Sequence, residues 1–157
     1  MLEQTTLDTP IGAVRLVADG GALVGAWLAA GHRATAEEAR PASANAVLDG
    51  AARELDEYFA GRRKAFSTPL ATGGTAFQRR VWAALARIPF GARCSYAAVA
   101  VSIGAPRAVR AVGAANARNP LAIFVPCHRV VAADGGLCGY GGGLAAKRWL
   151  LDHERGC

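Results

Sequence analysis

The hydrophobic period changes once along this chain, at Thr72–Gly73–Gly74, and the change separates two kinds of structure. Upstream, residues 2–8, 11–18 and 22–29 are short β-type runs divided by the turn signals Thr9–Pro10 and Gly20–Gly21. Residues 31–43 are polar and alanine-rich and read as a loop. A helix is predicted over 44–60, because Val47, Leu48, Ala51, Leu55, Tyr58 and Phe59 fall on one stripe and Gly61 suits its end. Residues 66–70 could add an edge strand. Nothing in this half suggests chemistry, so it reads as scaffold.

Downstream the spacing turns helical. Thr75 is placed to cap a helix bearing Phe77, Val81, Trp82 and Leu85, broken by Pro89 and Gly91. Ser95 can cap a short helix over 96–103, and Gly104–Ala105 turns the chain. Pro106 suits the start of a second helix reaching 117, which Asn119–Pro120 stops. A last helix, 144–154, follows a glycine-rich loop. The fold class is therefore α/β (α+β). A small α/β lobe, 1–72, precedes a mainly helical lobe, 73–157, with a helix-turn-helix at about 95–117. At 157 residues the chain can bury roughly 70% of its unfolded surface without a disulfide or metal staple.

Charge follows the same division. Residues 1–75 hold 7 Lys/Arg and 9 Asp/Glu, whereas 76–157 hold 11 and 3. A basic second half points to a polyanion, with nucleic acid the first candidate. The helix after Pro106 narrows that reading. Its sequence Arg107–Ala108–Val109–Arg110–Ala111–Val112–Gly113–Ala114–Ala115–Asn116 offers small residues and few arginines. A major-groove reader carries longer polar side chains for base edges. A small-residue helix allows close backbone approach to the narrow minor groove, or else packs tightly on a neighbouring helix.

The cysteines are Cys94, Cys127, Cys138 and Cys157, with no C-x-x-C pair. Met1–Leu2–Glu3–Gln4 carries an acid and no export signal, and no apolar run reaches the ~18 residues of a membrane span. Reduced thiols in a cytoplasmic protein are the better reading. Of the histidines, His32, His128 and His153, only His128 adjoins a cysteine. In Phe124–Val125–Pro126–Cys127–His128–Arg129–Val130–Val131 a thiol, an imidazole and a guanidinium stand in succession. A neighbouring cation raises the thiolate fraction of a cysteine. Adjacent residues of an extended chain point to opposite faces, however, so His128 needs a local turn or a bridging water to act on Cys127. Asp134, Asp152 and Glu154 are the acids available to orient it. Alone, this set suits a thiol hydrolase, a redox sensor or a transferase.

Pro126–Cys127–His128–Arg129–Val130–Val131 resembles the active-site signature of the O6-alkylguanine-DNA alkyltransferases, the methylated-DNA–protein-cysteine methyltransferases. Gly74–Thr75–Ala76–Phe77–Gln78, Ser95–Tyr96, Arg110–Ala111–Val112–Gly113, Asn119–Pro120, Gly139–Tyr140, Lys147 and Leu150–Leu151–Asp152–His153–Glu154 are similar to family segments in the same order, over about residues 55–155. The resemblance implies a ribonuclease-H-like first lobe and DNA repair by alkyl transfer from O6-alkylguanine, with O4-alkylthymine a second substrate. Cys127 would accept the alkyl group irreversibly, in one turnover. His128 would activate it through a water and Glu154 would orient the imidazole. Tyr96 would bond the flipped guanine and help rotate its phosphate, and Arg110 would fill the vacated stack. Asn119 would hold the turn leading to Cys127. The carbonyls of Cys127 and Val130 would accept from the guanine amino group, the Gly141 amide would face O6, and Tyr140 would line the pocket. Ser95, Arg93, Ala111, Gly113 and Ala114 would join the DNA face.

The expected partner is double-stranded DNA containing O6-alkylguanine, met through its minor groove. No cofactor, metal or membrane is expected, and a monomer is, with cooperative binding along DNA left open. The first lobe has no cysteine and one histidine, so the zinc site of some family members is not expected here. Arg93 stands where a small hydroxyl residue is usual, and Arg118 precedes Asn119 where glycine is common. Cys138 is read as inert, and Gly141–Gly142–Gly143 as a loop free enough to admit larger alkyl groups. The competing readings are a lesion-binding sensor without chemistry, which the presence of Cys127 opposes, and an unrelated thiol enzyme.

Overall fold

A computed structural model of the chain describes residues 2–28, 39–137, 140 and 143–155. Strands β1 (Leu2–Thr9), β2 (Gly12–Asp19) and β3 (Ala22–Leu28) form an antiparallel meander, as the alternation and turn signals predict. A two-residue strand β4 (Arg40–Pro41) adds in parallel to β1, giving the order β3-β2-β1-β4. This corrects the loop expected over 31–43 at its end. Pro41 has no N–H to donate, but a sheet edge does not require one, and the Ala42 N–H bonds the Gln4 carbonyl instead. Residues 29–38 lie outside the described residues.

Helix α1 (Ala46–Phe59) is capped by Asn45, whose side chain accepts from the Leu48 N–H. Its stripe Leu48, Ala51, Leu55 and Tyr58 is buried, and the helix packs on the meander. Residues 66–70 make no strand. Leu70 forms only a bridge to Leu23. At the period change, Gly74 has φ +89°, and a Cβ there would strike the Trp82 ring at 2.8 Å.

Helix α2 (Ala76–Leu85) opens with a capping box between Thr75 and Gln78. It packs against α3 (Tyr96–Ser102) and α4 (Val109–Ala117), and Trp82 Nε1 donates to the Ala115 carbonyl at 2.8 Å. Pro106 does not begin α4, as the spacing suggested. Ala105 and Ala108 close a separate turn first, and the helix starts at Val109 with no side-chain cap. The two-residue strands β5 (Cys94–Ser95) and β6 (Val130–Val131) pair in parallel, and α5 (Leu144–Arg155) completes the fold. The buried apolar residues of sheet and helices form one continuous cluster. No helix among the described residues is long and apolar enough to cross a membrane.

Candidate active site

The segment reaching Cys127 is held from both sides. After α4, Asn119 is 4% exposed; its Nδ2 donates to the Val125 carbonyl at 2.8 Å and its Oδ1 accepts from the Leu121 N–H at 3.0 Å. Arg118 has φ −96°, so the glycine common at that position is not needed for the turn. β3 clamps the same segment: the Ala26 N–H bonds the Pro120 carbonyl and the Ala122 N–H bonds the Ala26 carbonyl. Ile123 has φ +74°, a left-handed conformation costly for a β-branched residue, and it persists because these bonds surround it.

Cys127, His128 and Arg129 then form one turn of 3-10 helix. That is the local turn which lets neighbouring residues escape the opposed faces of an extended chain. Cys127 is 5% exposed. Burial pushes its thiol pKa up, against smaller downward pulls from the Asn119 side chain and the Lys147 charge. Left alone, this cysteine is a thiol at neutral pH.

Glu154, near the end of α5, organises the other two members. Its Oε2 accepts from Tyr58 OH at 2.6 Å, from His128 Nε2 at 2.7 Å and from Arg129 at 3.0 Å. Its Oε1 accepts from Arg129 Nε at 2.8 Å and from the Gly91 N–H at 3.3 Å. Burial alone pushes this carboxyl up, but the bonds from His128, Arg129 and Tyr58 and the nearby positive charge hold it well below the usual carboxylate range. An ionised carboxylate only accepts, so His128 Nε2 must carry the proton and Nδ1 must hold the lone pair. Nδ1 is buried and has no hydrogen-bond partner among the described residues. Burial pushes the His128 pKa down, more than the Glu154 contacts raise it, so the imidazole is neutral at pH 7. The result is a protonated thiol followed in the chain by an oriented neutral base.

The candidate DNA face lies on α3 and α4. Ser95 caps α3 by accepting from the Ala98 N–H, and its pairing with Val131 brings Tyr96 beside the Cys127 segment. On α4, Val112, Ala115 and Asn116 are buried, whereas Arg110, Ala111 and Ala114 are exposed. Gly113 is half-buried, and a Cβ there would lie 3.9 Å from the Tyr96 ring. Arg93 is exposed just before β5. The Tyr140 hydroxyl is buried with no hydrogen-bond partner among the described residues, and burial, above all, raises its pKa. Gly141 and Cys138 lie outside the described residues. No group of three or more His, Cys, Asp or Glu among the described residues could hold a metal ion.

Four contributors were not assigned roles from the sequence. Tyr58 brings the first half of the chain into the site, correcting its reading as scaffold alone. On a helical stripe it looks like core, although a buried tyrosine hydroxyl needs a partner somewhere. Arg129 gives Glu154 two bonds, donates to the Ile88 carbonyl at 2.6 Å and lies over the Phe90 ring. Lys147 is fully buried, donates to the Val130 carbonyl at 2.6 Å and sits 5.8 Å from the Tyr96 ring. Its spacing from Leu150 and Leu151, on the buried stripe of α5, was the available signal. Asn116 donates to the Cys127 carbonyl at 3.4 Å, and that carbonyl also accepts the Val130 N–H.

Comparison with known proteins finds relatives of both halves of the chain. Residues 2–72 match the ribonuclease-like domain of 6-O-methylguanine DNA methyltransferase, and residues 76–156 match its DNA binding domain. The chain is 45% identical, over 99% of its length and 93% of the other, to a methylated-DNA–protein-cysteine methyltransferase of Mycobacterium tuberculosis. It is 55% identical over 69% of its length, and 66% of the other, to the constitutive enzyme of that name from Bacillus subtilis. The crystal structure of Mycobacterium tuberculosis OGT in complex with DNA superposes with a TM-score of 0.92 at 44% identity, covering 98% of this chain and 93% of that one.

Proposed function

The chain belongs to the 6-O-methylguanine DNA methyltransferase family, and from that membership we propose that Cys127 is the residue to which it transfers the alkyl group of O6-alkylguanine in DNA. It is a DNA-repair methyltransferase acting through a protein cysteine. The observation that carries the assignment to Cys127 is the 3-10 turn joining its buried thiol to His128, whose Nε2 is committed to Glu154.

The steps follow from the protonation states. His128 Nδ1 takes the thiol proton, directly or through one water, and the imidazolium formed is stabilised by ionised Glu154. The sulfur attacks the alkyl carbon in line, forming the S–C bond as the C–O6 bond breaks. The electron pair leaves with guanine, which ends up carrying the proton. A thioether is a poor leaving group, so each molecule reacts once, and the same chemistry extends to O4-alkylthymine.

An O6-alkyl carbon is out of reach inside a duplex, so the base leaves the stack at a cost of a few kcal/mol. α4 enters the minor groove, its alanines and Gly113 permitting close approach, and Arg110 fills the gap. Tyr96 bonds the flipped base, Tyr140 lines its pocket, and Ser95, Arg93, Ala111, Gly113 and Ala114 meet the backbone. The guanine amino group shares the Val130 carbonyl with Lys147 and meets the Cys127 carbonyl in competition with its weakest donor, Asn116. Asn119 keeps Cys127 in place. We read residues 1–72 and 73–157 as two lobes, the protein as a monomer on DNA, and its free thiols Cys94 and Cys127 as suited to the cytoplasm.

Intact-mass measurement after incubation with a duplex carrying one O6-methylguanine tests the reading. One methyl group should appear on the Cys127 peptide and stop at one equivalent. Cys127→Ser should bind the same duplex and gain no mass. Tight lesion binding by the unmodified chain without any mass change would favour the sensor instead.

A further inference from the structure

Arg93, already read as meeting the DNA backbone, belongs to a larger basic feature whose other arginines the reading above does not use. Arg93, Arg148 and Arg155 line one open cleft of about 320 Å3 together with Gly135, Gly136 and Asp152. All three arginines are exposed, and among the described residues none of them forms an ion pair. Arg148, Asp152 and Arg155 stand at i, i+4 and i+7 on α5 and therefore share a face. Three arginines and one carboxylate thus line one space, which leaves an excess of positive charge there. An anion would balance that charge.

The cleft's place in the fold identifies the anion. Arg93 immediately precedes β5, and Gly135 and Gly136 follow β6, the strand paired with it. Tyr96 lies three residues beyond Arg93, with α4 packed close to its ring. On the DNA-binding reading above, the strand that meets α4 and Tyr96 would extend toward this cleft, since Arg93 leads directly into the segment bearing Tyr96. Guanidinium forks match the geometry of phosphate oxygens. We infer that the cleft holds a backbone phosphate of that strand, so that the duplex is gripped on both sides of Tyr96. The inference rests on the DNA-binding reading above and adds Arg148 and Arg155 to it.

Salt dependence of binding reads such contacts directly, because log K falls against log[salt] with a slope of about −0.9 per neutralised phosphate. The probe is a duplex carrying one O6-methylguanine, and the variant is Arg148→Gln with Arg155→Gln. It should bind several-fold more weakly at low salt, with a slope shallower by about one. Its Tm and its rate of alkylation by free O6-benzylguanine, which has no phosphate, should be those of the parent. Arg62→Gln, an exposed arginine of the first half, should leave the slope alone. An unchanged slope in the double variant overturns the inference while leaving DNA repair intact. So does an unchanged slope with altered cooperativity, which would assign the cleft to a second copy of the chain. If the parent protein shows no salt-dependent DNA binding, the DNA-binding reading itself fails, and the inference with it.

Discussion

Glu54 and Glu154 are almost equally hidden, 2% and 3% exposed, and both are surrounded by donors. Glu54 takes the backbone N–H groups of Ser67 and Thr68 at 2.8 Å each, their hydroxyls, and Arg63 at 2.9 Å. All of these lie within 14 residues of it, so it pins the chain that leaves α1. Glu154 draws its donors from Tyr58, Gly91, His128 and Arg129, 25 to 96 residues away. The decisive difference is in the partners. Those of Glu54 are not bases at neutral pH, whereas His128 keeps a second, basic nitrogen. A buried, satisfied carboxylate therefore says little about chemistry until one of its donors is a group that can titrate on its other side.

The largest effect should come from Glu154→Ala. It leaves the buried Arg129 guanidinium uncompensated, and truncating a buried pair in this way costs about 3–5 kcal/mol. Denaturant unfolding should show that loss, and alkyl transfer should disappear. A stable, fully active variant would make Glu154 no different from Glu54.

His128→Asn separates chemistry from stability. Transfer should slow by about 10²–10⁴-fold, the usual contribution of a positioned base. Single-turnover kinetics with alkylated duplex would show it. In the unmodified protein the same rate should be flat above pH 6.5 and fall in acid, because the His128 pKa lies below its ordinary value and protonation removes the base.

Glu54→Gln should act in the opposite sense. It weakens charged hydrogen bonds and should cost about 1–3 kcal/mol, yet leave the single-turnover rate of folded protein unchanged. Slowed transfer in this variant would dissolve the distinction between the two glutamates.

The smallest effect is on acid stability. Both carboxyls have pKa values depressed by folding, so each adds stability above about pH 4.5 that is lost as pH falls through its folded value. Unfolding free energy should therefore decline below that pH. Glu54→Gln should flatten the decline slightly, and Glu154 should account for more of it because its pKa is held lower.

Much of this molecule is local and could be read directly. The caps Asn45, Thr75 and Ser95 bond backbone groups three residues ahead, so helix starts are written in short words. The start of α4 was misread because Pro106 fits a turn as well as a first helical residue, and packing against α2 and α3 decides between them. The pair β1–β4 joins segments nearly forty residues apart, and no short-range pattern encodes such a pairing.

The site divides the same way. Cys127, His128 and their neighbours are contiguous, so the thiol, the imidazole beside it, the small-residue helix and the basic second half are legible in the sequence alone. Tyr58, Lys147 and Asn116 were present in the chain as an aromatic on a stripe, a charge on a buried face and the end of a helix. Their partners are Glu154, Val130 and Cys127. Only the tertiary structure decided that, because a hydrogen bond between residues 11 to 96 positions apart depends on where two elements pack, and packing is a property of the whole core. The same holds for which nitrogen of His128 keeps its lone pair. The sequence carries the imidazole, but the fold supplies the carboxylate that commits its other nitrogen.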